Sequence, residues 1–319
     1  MQLTNDNYYS QEANQAYMSV SQFKDFAGSL AHAGCESNAL AKFKGDIPNP
    51  VTTPLLVGSY VDSYFEGTLD DFKTDYASYL YKKTGDKGLK AEFLQAEEII
   101  RRLNDDKLFM DYMSGDKQVI MTANLFGIDW KIKMDSYLPD DKIVDLKIVK
   151  DMELIWSDDL GYKVDFIHYW GYDIQGAVYQ KVVELNTGKK LPFYIACATK
   201  EANMDYAIIE IPQMYLDKAL KYVEDNLPRV IDVKNGKAAP MPCGRCSFCK
   251  SVKKLERTIS LEELMPSKYI ETFLLDDDVD IEEQVNDIYA SAAPVQSTKP
   301  VPPVSFGTSN TLDDDNPYA

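Results

Sequence analysis

Polar and apolar residues alternate with a period of two between about residue 117 and residue 149. This alternation is typical of half-buried β-strands. One predicted face holds the apolar residues Phe126, Ile128, Trp130, Ile132 and Met134, and the other holds Lys131, Lys133 and Asp135. Pro139, Asp140 and Asp141 form a turn signal, so the strand that follows is expected to pair antiparallel with the preceding one.

Helical periodicity appears on both sides of these strands. The first predicted helix begins at Ser19 or Ser21. The others are predicted at Leu55–Glu66, over most of 87–113, from His168 to a stop at Gly188, and at 213–227 before Pro228. Two further strands are predicted in 191–201 and 206–212. The order helix, three strands, helix, two strands, helix predicts an α/β fold with a mixed central β-sheet flanked by helices.

The chain has 319 residues, of which 45% are hydrophobic, so it is long enough for one large domain or two small ones. No apolar run approaches the length of a membrane-spanning helix. The N-terminal residues lack the basic and apolar regions of a signal peptide. We therefore expect a cytoplasmic protein that does not associate with membranes.

The net charge of −17 is concentrated at one end of the chain. Residues 271–319 contain eleven acidic residues and one lysine, so they carry −10 of the total and leave −7 for the first 270 residues. A strongly negative protein is a poor candidate for DNA binding, because phosphate binding requires basic residues. Since most of the negative charge lies in the tail, it does not exclude DNA binding by the body of the protein. Beyond about residue 266 the chain is acidic and rich in proline and serine, which predicts disorder. The expected organisation is one domain at 1–265 and a disordered tail at 266–319.

Asp145 and Lys147 interrupt an apolar strand, Ile143–Val149, two residues apart and therefore on the same face. The preceding hairpin is expected to bring Asp135 close to them. Two carboxylates on a rigid sheet suit Mg²⁺ or Mn²⁺, and an adjacent lysine can stabilise charge on a phosphate. The alternative is a solvated strand face, which is the usual setting of alternating charges.

The combination of Asp135 with Asp145-Leu146-Lys147 resembles the signature of the PD-(D/E)XK nuclease superfamily. The RecB-like branch of that superfamily has a later helix with Gln-x-x-x-Tyr, which Gln175 and Tyr179 match. The resemblance implies that five residues are catalytic: Asp135, Asp145, Lys147, Gln175 and Tyr179. An amphipathic stripe is the alternative for the helix.

The same branch usually has Gly-x-x-x-His upstream, where the histidine contacts a metal. This chain has Gly58-x-x-x-Asp62, followed one turn later by Glu66. Because aspartate is also a good ligand for hard cations, we expect Asp62 to join Asp135 and Asp145 in holding Mg²⁺ or Mn²⁺. A solvated helix face is the alternative for Asp62 and Glu66.

The cysteines form a second candidate metal site. Cys243, Cys246 and Cys249 are spaced by two residues, which is a strong ligand signal in a reducing compartment. Cys197 lies in an apolar strand and is predicted to be a core residue. The AddB subunit and CRISPR-associated exonucleases join one early cysteine to three late ones around a [4Fe–4S] cluster, and Cys35 would complete that set here. Zn²⁺ is the alternative, with His32 able to replace Cys35 as a ligand.

The core from about Met18 to Lys254 is most similar to phage and prophage nucleases related to RecE, or exodeoxyribonuclease VIII. This resemblance implies resection of linear double-stranded DNA ends for recombination in a bacterial host cell, beside a single-strand annealing or single-stranded-DNA-binding protein. The acidic terminal residues resemble the partner-docking tips of single-stranded-DNA-binding proteins, but a solubilising disordered end is the favoured interpretation. The alternatives are an inactive DNA-end-binding scaffold and a single-strand endonuclease. The oligomeric state is left open, with a homo-oligomer among the options.

Overall fold

The computed structural model describes residues 1–48, 51–85 and 87–264. Within these ranges the helices are α1 Gln11–Ala16, α2 Val20–Ala27, α3 Glu36–Lys44, α4 Thr53–Glu66, α5 Leu69–Asp75, α6 Ala77–Leu80, α7 Ala91–Asn104, α8 Lys107–Tyr112, α9 Phe166–Trp170, α10 Tyr172–Thr187, α11 Gln213–Lys234, α12 Ser247–Ser251 and α13 Leu261–Leu264. The strands are β1 Val119–Leu125, β2 Ile128–Met134, β3 Ser136–Leu138, β4 Lys142–Val149, β5 Ile155–Ser157, β6 Tyr162–Val164, β7 Phe193–Thr199 and β8 Tyr206–Glu210.

The central sheet has the strand order β3-β4-β7-β8. β4 and β7 are parallel, whereas β3 and β8 pair antiparallel with their neighbours, so the sheet is mixed as predicted. The helix α10 belongs to the crossover between β4 and β7, which a parallel pair requires. Two antiparallel ribbons, β1-β2 and β5-β6, lie outside this sheet.

Apolar side chains cover both faces of the sheet. In β4, Ile143 and Val149 belong to a core that includes residues of α2, α10 and α11, whereas Val144 and Leu146 belong to a core built with α4, α7 and α8. Asp145 alternates with Val144 and Leu146, so it shares the face of Ile143. The predicted α/β fold with helices on both sides of a mixed sheet is therefore confirmed.

The strand region differs from the prediction in two respects. Four strands, rather than three, lie between residues 119 and 149, because Asp135 interrupts the run between β2 and β3. Phe126 is not on the apolar face but in a two-residue hairpin turn with Gly127, at positive φ values of 55° and 80°. Lys131 is only 1% exposed and is therefore not on a solvated face. Its buried ammonium group donates to the carbonyl of Tyr8 and to Asn14.

Two helix boundaries also differ from the prediction. The helix expected from His168 to Gly188 is divided at Gly171, whose φ of 64° is left-handed. A Cβ atom added at Gly171 would lie only 2.9 Å from the side chain of Lys24. The last predicted helix does not stop before Pro228 but continues to Lys234. The lost backbone donor at Pro228 is offset by apolar side chains on the buried face, including Val230 and Val233. Gly188 ends α10 as expected, at a φ of 75°.

The chain divides into two compact units, the first covering residues 1–251 and the second beginning at Val252. In the second unit the described residues form α13, and Arg257 makes an ion pair with Glu263. The acidic segment predicted to be disordered, residues 266–319, lies outside the described residues. None of the described helices has both the length and the apolar character that crossing a membrane requires.

Candidate active site and cysteine centre

Two neighbouring strands bring the predicted carboxylates and lysine into one pocket of about 230 Å³. Asp135, between β2 and β3, accepts a hydrogen bond of 2.8 Å at Oδ2 from the backbone N–H of Leu146 in β4. Asp145 and Lys147 alternate along β4 and form an ion pair. Asp145 is 2% exposed, so it is a buried charge in a central strand. Such a charge is costly unless other groups compensate it.

The helix α10 presents Gln175 and Tyr179 to the same pocket. Gln175 donates from Nε2 to Oδ1 of Asp145 over 2.5 Å. Tyr179 donates from its hydroxyl group to the backbone carbonyl of Lys133 over 3.0 Å. Gly176 lets α10 approach the sheet, because a Cβ there would lie 2.5 Å from Phe193. Both helix residues therefore border the carboxylates, with Gln175 in direct contact.

The helix α4 adds Asp62 and Glu66 to the pocket wall. They lie one turn apart, so both face the pocket from the same side of the helix. The structure thus gathers four carboxylates, from α4, the β2–β3 junction and β4. The only two histidines in the chain, His32 and His168, are absent from the described lining of this pocket.

The carboxylates perturb one another's ionisation. Burial and the neighbouring charge of Asp145 raise the pKa of Asp135 to about 7. Burial and the charge of Asp135 raise the pKa of Asp62 well above its usual range; the residue keeps some exposed surface, but its carboxyl group is enclosed by protein atoms. Burial alone would lower the pKa of Lys147, but Asp145 and Asp135 raise it. The pocket therefore favours a cation among its carboxylates.

A divalent cation fits this donor set. The Oδ2 atom of Asp145 is buried, and it faces the ammonium group of Lys147 within ion-pair distance. The buried Oε1 atom of Gln118 accepts no hydrogen bond from the described residues. Several carboxylate oxygens and an unsatisfied amide oxygen in one pocket are the hard donors that Mg²⁺ and Mn²⁺ prefer.

Several pocket residues were not predicted as site residues. They are Tyr8, Tyr9, Lys24 and Gln118, together with Lys131 and Lys133, which had been assigned only to a strand face. Burial and the nearby charge of Lys147 lower the pKa of Lys24 to about 7. Gln118 has a left-handed φ of 53°, which is uncommon for a side chain of this kind. A sequence reveals neither this backbone conformation nor the buried amide oxygen of Gln118.

The second site is the group of Cys35, Cys243, Cys246 and Cys249, whose sulfur atoms all lie within 4.8 Å of one another. Cys35 precedes α3, and the other three lie at and before α12. Cys197 is separate from them and fully buried in β7, as predicted. The group consists of four cysteines, without His32, which stacks on Tyr169 instead.

The separations between sulfur atoms can be compared with known metal geometry. The Cys35–Cys249, Cys246–Cys35 and Cys243–Cys249 pairs lie 3.5, 3.8 and 3.9 Å apart. Tetrahedral Zn²⁺, with Zn–S bonds of about 2.3 Å, places its sulfur ligands about 3.8 Å apart. A [4Fe–4S] cluster gives each thiolate its own iron and therefore requires wider separations. The four-cysteine group has the composition and closeness of a site that could hold a metal.

A second cavity, of about 350 Å³, borders both sites. Cys35, Cys243 and Cys246 line it together with Ser21 and Lys24, and the last two residues also line the carboxylate pocket. The helix α2 therefore contributes residues both to the carboxylate pocket and to the cavity that the cysteines line.

A family model described as a PDDEXK-like domain of unknown function (DUF3799) matches residues 19–252. The matched residues include all four cysteines of the group and every residue of the carboxylate pocket except Tyr8 and Tyr9. None of the curated proteins with which the chain was compared matches it.

A crystal structure of a protein from Eubacterium rectale, provisionally named as an exonuclease, shares 53% sequence identity with the chain at a TM-score of 0.78. The similarity covers 83% of this chain and 98% of the E. rectale protein. The solved structure of SSO0001 shares 15% identity over 70% of this chain and 98% of its own length. Its TM-score of 0.27 is below the level of a shared fold.

Proposed function

This chain belongs to the PDDEXK-like domain family, and from that premise we propose that it is a metal-dependent deoxyribonuclease. The observation that carries the proposal is the convergence of Asp135, Asp145 and Lys147 on one pocket, with Asp145 buried in the central strand. The 53% identity to a protein provisionally named as an exonuclease supports the same class of activity.

Asp62, Asp135 and Asp145 are the proposed ligands of Mg²⁺ or Mn²⁺, and Glu66 lines the same pocket. A bound cation would polarise the scissile phosphate and lower the pKa of a water molecule. Asp62 takes the place at which the RecB-like branch has histidine. The raised pKa of its carboxyl group supports this assignment, because repulsion from Asp135 is relieved when a cation lies between them.

The other pocket residues would orient the reacting groups and neutralise negative charge. Lys147 would hold the attacking water molecule and stabilise the negative charge that develops on the phosphate. Gln175 fixes the orientation of Asp145, because its amide donates to Oδ1 and leaves Oδ2 to the ion pair with Lys147. Tyr179 ties α10 to the carbonyl of Lys133, at the strand end that leads to Asp135. Gln175 and Tyr179 therefore act here as positioning residues.

The finer proposal is an exonuclease that resects linear double-stranded DNA for recombination, related to the RecE-like enzymes of phages and prophages. The motif resemblance and the name of the E. rectale protein support this choice over an endonuclease. Its setting would be the cytoplasm of a bacterial cell, beside a single-strand annealing or single-stranded-DNA-binding protein. We assign the nuclease domain to residues 1–265 and a partner-docking or solubilising role to residues 266–319.

The test is digestion of end-labelled linear duplex with Mg²⁺ or Mn²⁺. We expect wild-type protein to release nucleotides and Asp145→Asn to lower the rate at least about 100-fold, as loss of a group that acts at the transition state typically does. Asp141→Asn is the matched control, because Asp141 is an exposed carboxylate at the start of the same strand hairpin. Equal activity in wild type and Asp145→Asn would contradict the proposal.

Two alternatives give different results in the same assay. An inactive scaffold would bind DNA ends and release no nucleotides with either metal. A single-strand endonuclease would cut circular single-stranded DNA, which has no end for an exonuclease to attack.

For the four-cysteine group we propose a structural metal centre that joins residue 35 to residues 243–249. The resemblance to AddB and the CRISPR-associated exonucleases supports a [4Fe–4S] cluster, whereas the separations of 3.5, 3.8 and 3.9 Å in three of the six sulfur pairs support Zn²⁺. In either case the centre lies outside the carboxylate pocket and contributes to folding.

A further inference from the structure

The N-terminal segment, residues 1–17, precedes the residues that the family model matches and nevertheless reaches the carboxylate pocket. It is anchored at Asn14, whose Oδ1 accepts a 2.8 Å hydrogen bond from Lys131 and whose carbonyl accepts bonds of 3.0 and 3.2 Å from Gln22 and Lys234. Lys131 also donates to the carbonyl of Tyr8. These bonds fix the segment against β2 and place Tyr8 and Tyr9 in the pocket wall.

The two tyrosines have opposite exposures. Tyr8 is 6% exposed, whereas Tyr9 is 71% exposed although it is large and aromatic. The edge of one ring meets the other at a centroid distance of 5.0 Å and an angle of 84°. The ammonium group of Lys133 lies 4.6 Å from the centroid of Tyr9. Tyr9 is therefore held by two neighbours while much of its surface remains in contact with water.

We propose that Tyr9, supported by Tyr8 and Lys133, is a stacking platform for an unpaired nucleobase of the strand that is cut. The proposal rests on the nuclease function proposed above and specifies its substrate as a single strand or the frayed end of a duplex. Proteins bind single strands by combining a basic groove with aromatic rings on which bases stack. An aromatic ring and lysines are both present here, because Lys24, Lys133 and Lys147 line the pocket that Tyr9 borders, beside its four carboxylates.

The dimensions of the pocket favour one strand over two. Its volume of about 230 Å³ lies below the roughly 300 Å³ of small ligand pockets, which suits a phosphate with part of one nucleotide better than a base pair. A base next to the scissile phosphate must therefore lie at the pocket mouth. Tyr9 is the aromatic residue of the described lining that is exposed there, because Tyr8 and Tyr179 are buried.

The experiment measures binding of a short single-stranded oligonucleotide that carries 2-aminopurine at its end, with Ca²⁺ in place of the catalytic cation. We expect wild-type protein to quench the fluorescence by stacking. Tyr9→Ala should abolish the quenching and weaken binding about tenfold, within the range that loss of one stacked base gives. Tyr9→Trp should restore both, because indole offers a larger stacking surface. Tyr79→Ala, at an exposed tyrosine outside the pocket lining, is the matched control.

The outcomes separate this proposal from the nuclease function. Two results would overturn the platform even if the wild type cleaves DNA. One is wild-type affinity and quenching in Tyr9→Ala. The other is a loss of affinity and quenching in Tyr79→Ala as large as that in Tyr9→Ala. Binding that depends on Tyr9 in a protein that cleaves nothing would leave the platform intact and remove the nuclease function. Equal melting temperatures of the variants, expected for an exposed side chain, exclude misfolding as the cause.

Discussion

At the scale of single residues, Asp62 shows how the proposed function conflicts with stability. Its carboxyl group lies near Asp135, and burial and this neighbouring charge raise its pKa well above the usual range. We expect Asp62→Asn to raise the free energy of unfolding of the metal-free protein by about 1 kcal/mol, because one repelling charge is removed. The same change should reduce the rise in melting temperature caused by Mn²⁺, because fewer ligands remain to hold it. Thermal unfolding with and without Mn²⁺ measures both effects.

Asp46→Asn is the control for this prediction, since Asp46 is an exposed carboxylate outside the pocket lining. It should change stability by less than about 0.5 kcal/mol and keep the full response to Mn²⁺. If Asp62→Asn responded to Mn²⁺ as strongly as Asp46→Asn does, Asp62 would not be a ligand.

Local patterns predicted part of the pocket and missed the rest for a physical reason. Asp145 and Lys147 were predicted because alternation on one strand puts them on the same face. Gln175 and Tyr179 were predicted from the resemblance to the RecB-like branch, and their four-residue spacing puts them on one face of a helix. The structure brings all four side chains to one pocket. Tyr9 and Lys24 reach it only through tertiary packing of the N-terminal segment and α2, and no local periodicity encodes such packing.

At the scale of secondary-structure elements, the short helix α9 carries a pH-dependent cap. Asp165 accepts at Oδ1 from the backbone N–H of His168 over 3.0 Å and pairs with its ring Nδ1 over 2.7 Å. The hydrogen bond to Asp165 raises the pKa of His168, whereas Lys218 opposes this shift and Asp173 adds to it. Although burial opposes the change, the bonds from His168 lower the pKa of Asp165.

The sign of the resulting pH dependence follows from these shifts. A raised histidine pKa contributes stability below about pH 6.5, and that contribution is lost as pH rises through the folded-state pKa. A lowered aspartate pKa contributes stability above about pH 3.9, and that contribution is lost on acidification. We expect His168→Gln to destabilise the protein most between about pH 5 and pH 6.5 and least at pH 9. The effect should stay below about 1 kcal/mol, because Asp165 is 47% exposed at its side chain.

Urea unfolding of wild type and variant at several pH values measures this difference. His32→Gln provides a control of opposite sign, because burial lowers the pKa of His32 and the charged form is disfavoured in the folded protein. Removing His32 should therefore help stability at low pH, whereas removing His168 should harm it. A difference between wild type and His168→Gln that does not vary with pH would contradict the proposed cap.

Periodicity predicted most elements, but not where they are interrupted. The alternation of β4, the apolar run of β7 and the helical spacing of α4 and α10 are local properties, and these elements occur as expected. The division at Gly171 depends on the close approach of Lys24, which belongs to another helix. The continuation of α11 past Pro228 depends on the apolar core beneath Val230 and Val233. Contacts distant in sequence decided both boundaries.

At the scale of the whole molecule, the four-cysteine group connects residues that are 214 positions apart, Cys35 and Cys249. A metal centre there closes a loop of this length, and such a closure removes up to about 5 kcal/mol of unfolded-state entropy. We expect Cys35→Ser to lower both the bound metal per chain and the melting temperature. Cleavage should fall as well, because Cys35 and Lys24 line one cavity and Lys24 also lines the carboxylate pocket.

Metal analysis after anaerobic purification identifies the centre and tests its role together. A [4Fe–4S] cluster should give a brown protein with absorbance near about 400 nm and bound iron and sulfide, whereas Zn²⁺ should give a colourless protein with one zinc per chain. Cys197→Ala is the control, because Cys197 is buried in β7 away from the group. It should keep the full metal content even if the cavity it leaves lowers stability. Loss of metal in Cys197→Ala but not in Cys35→Ser would reject the proposed ligand set, since the two variants remove equivalent thiols from different places in the same fold.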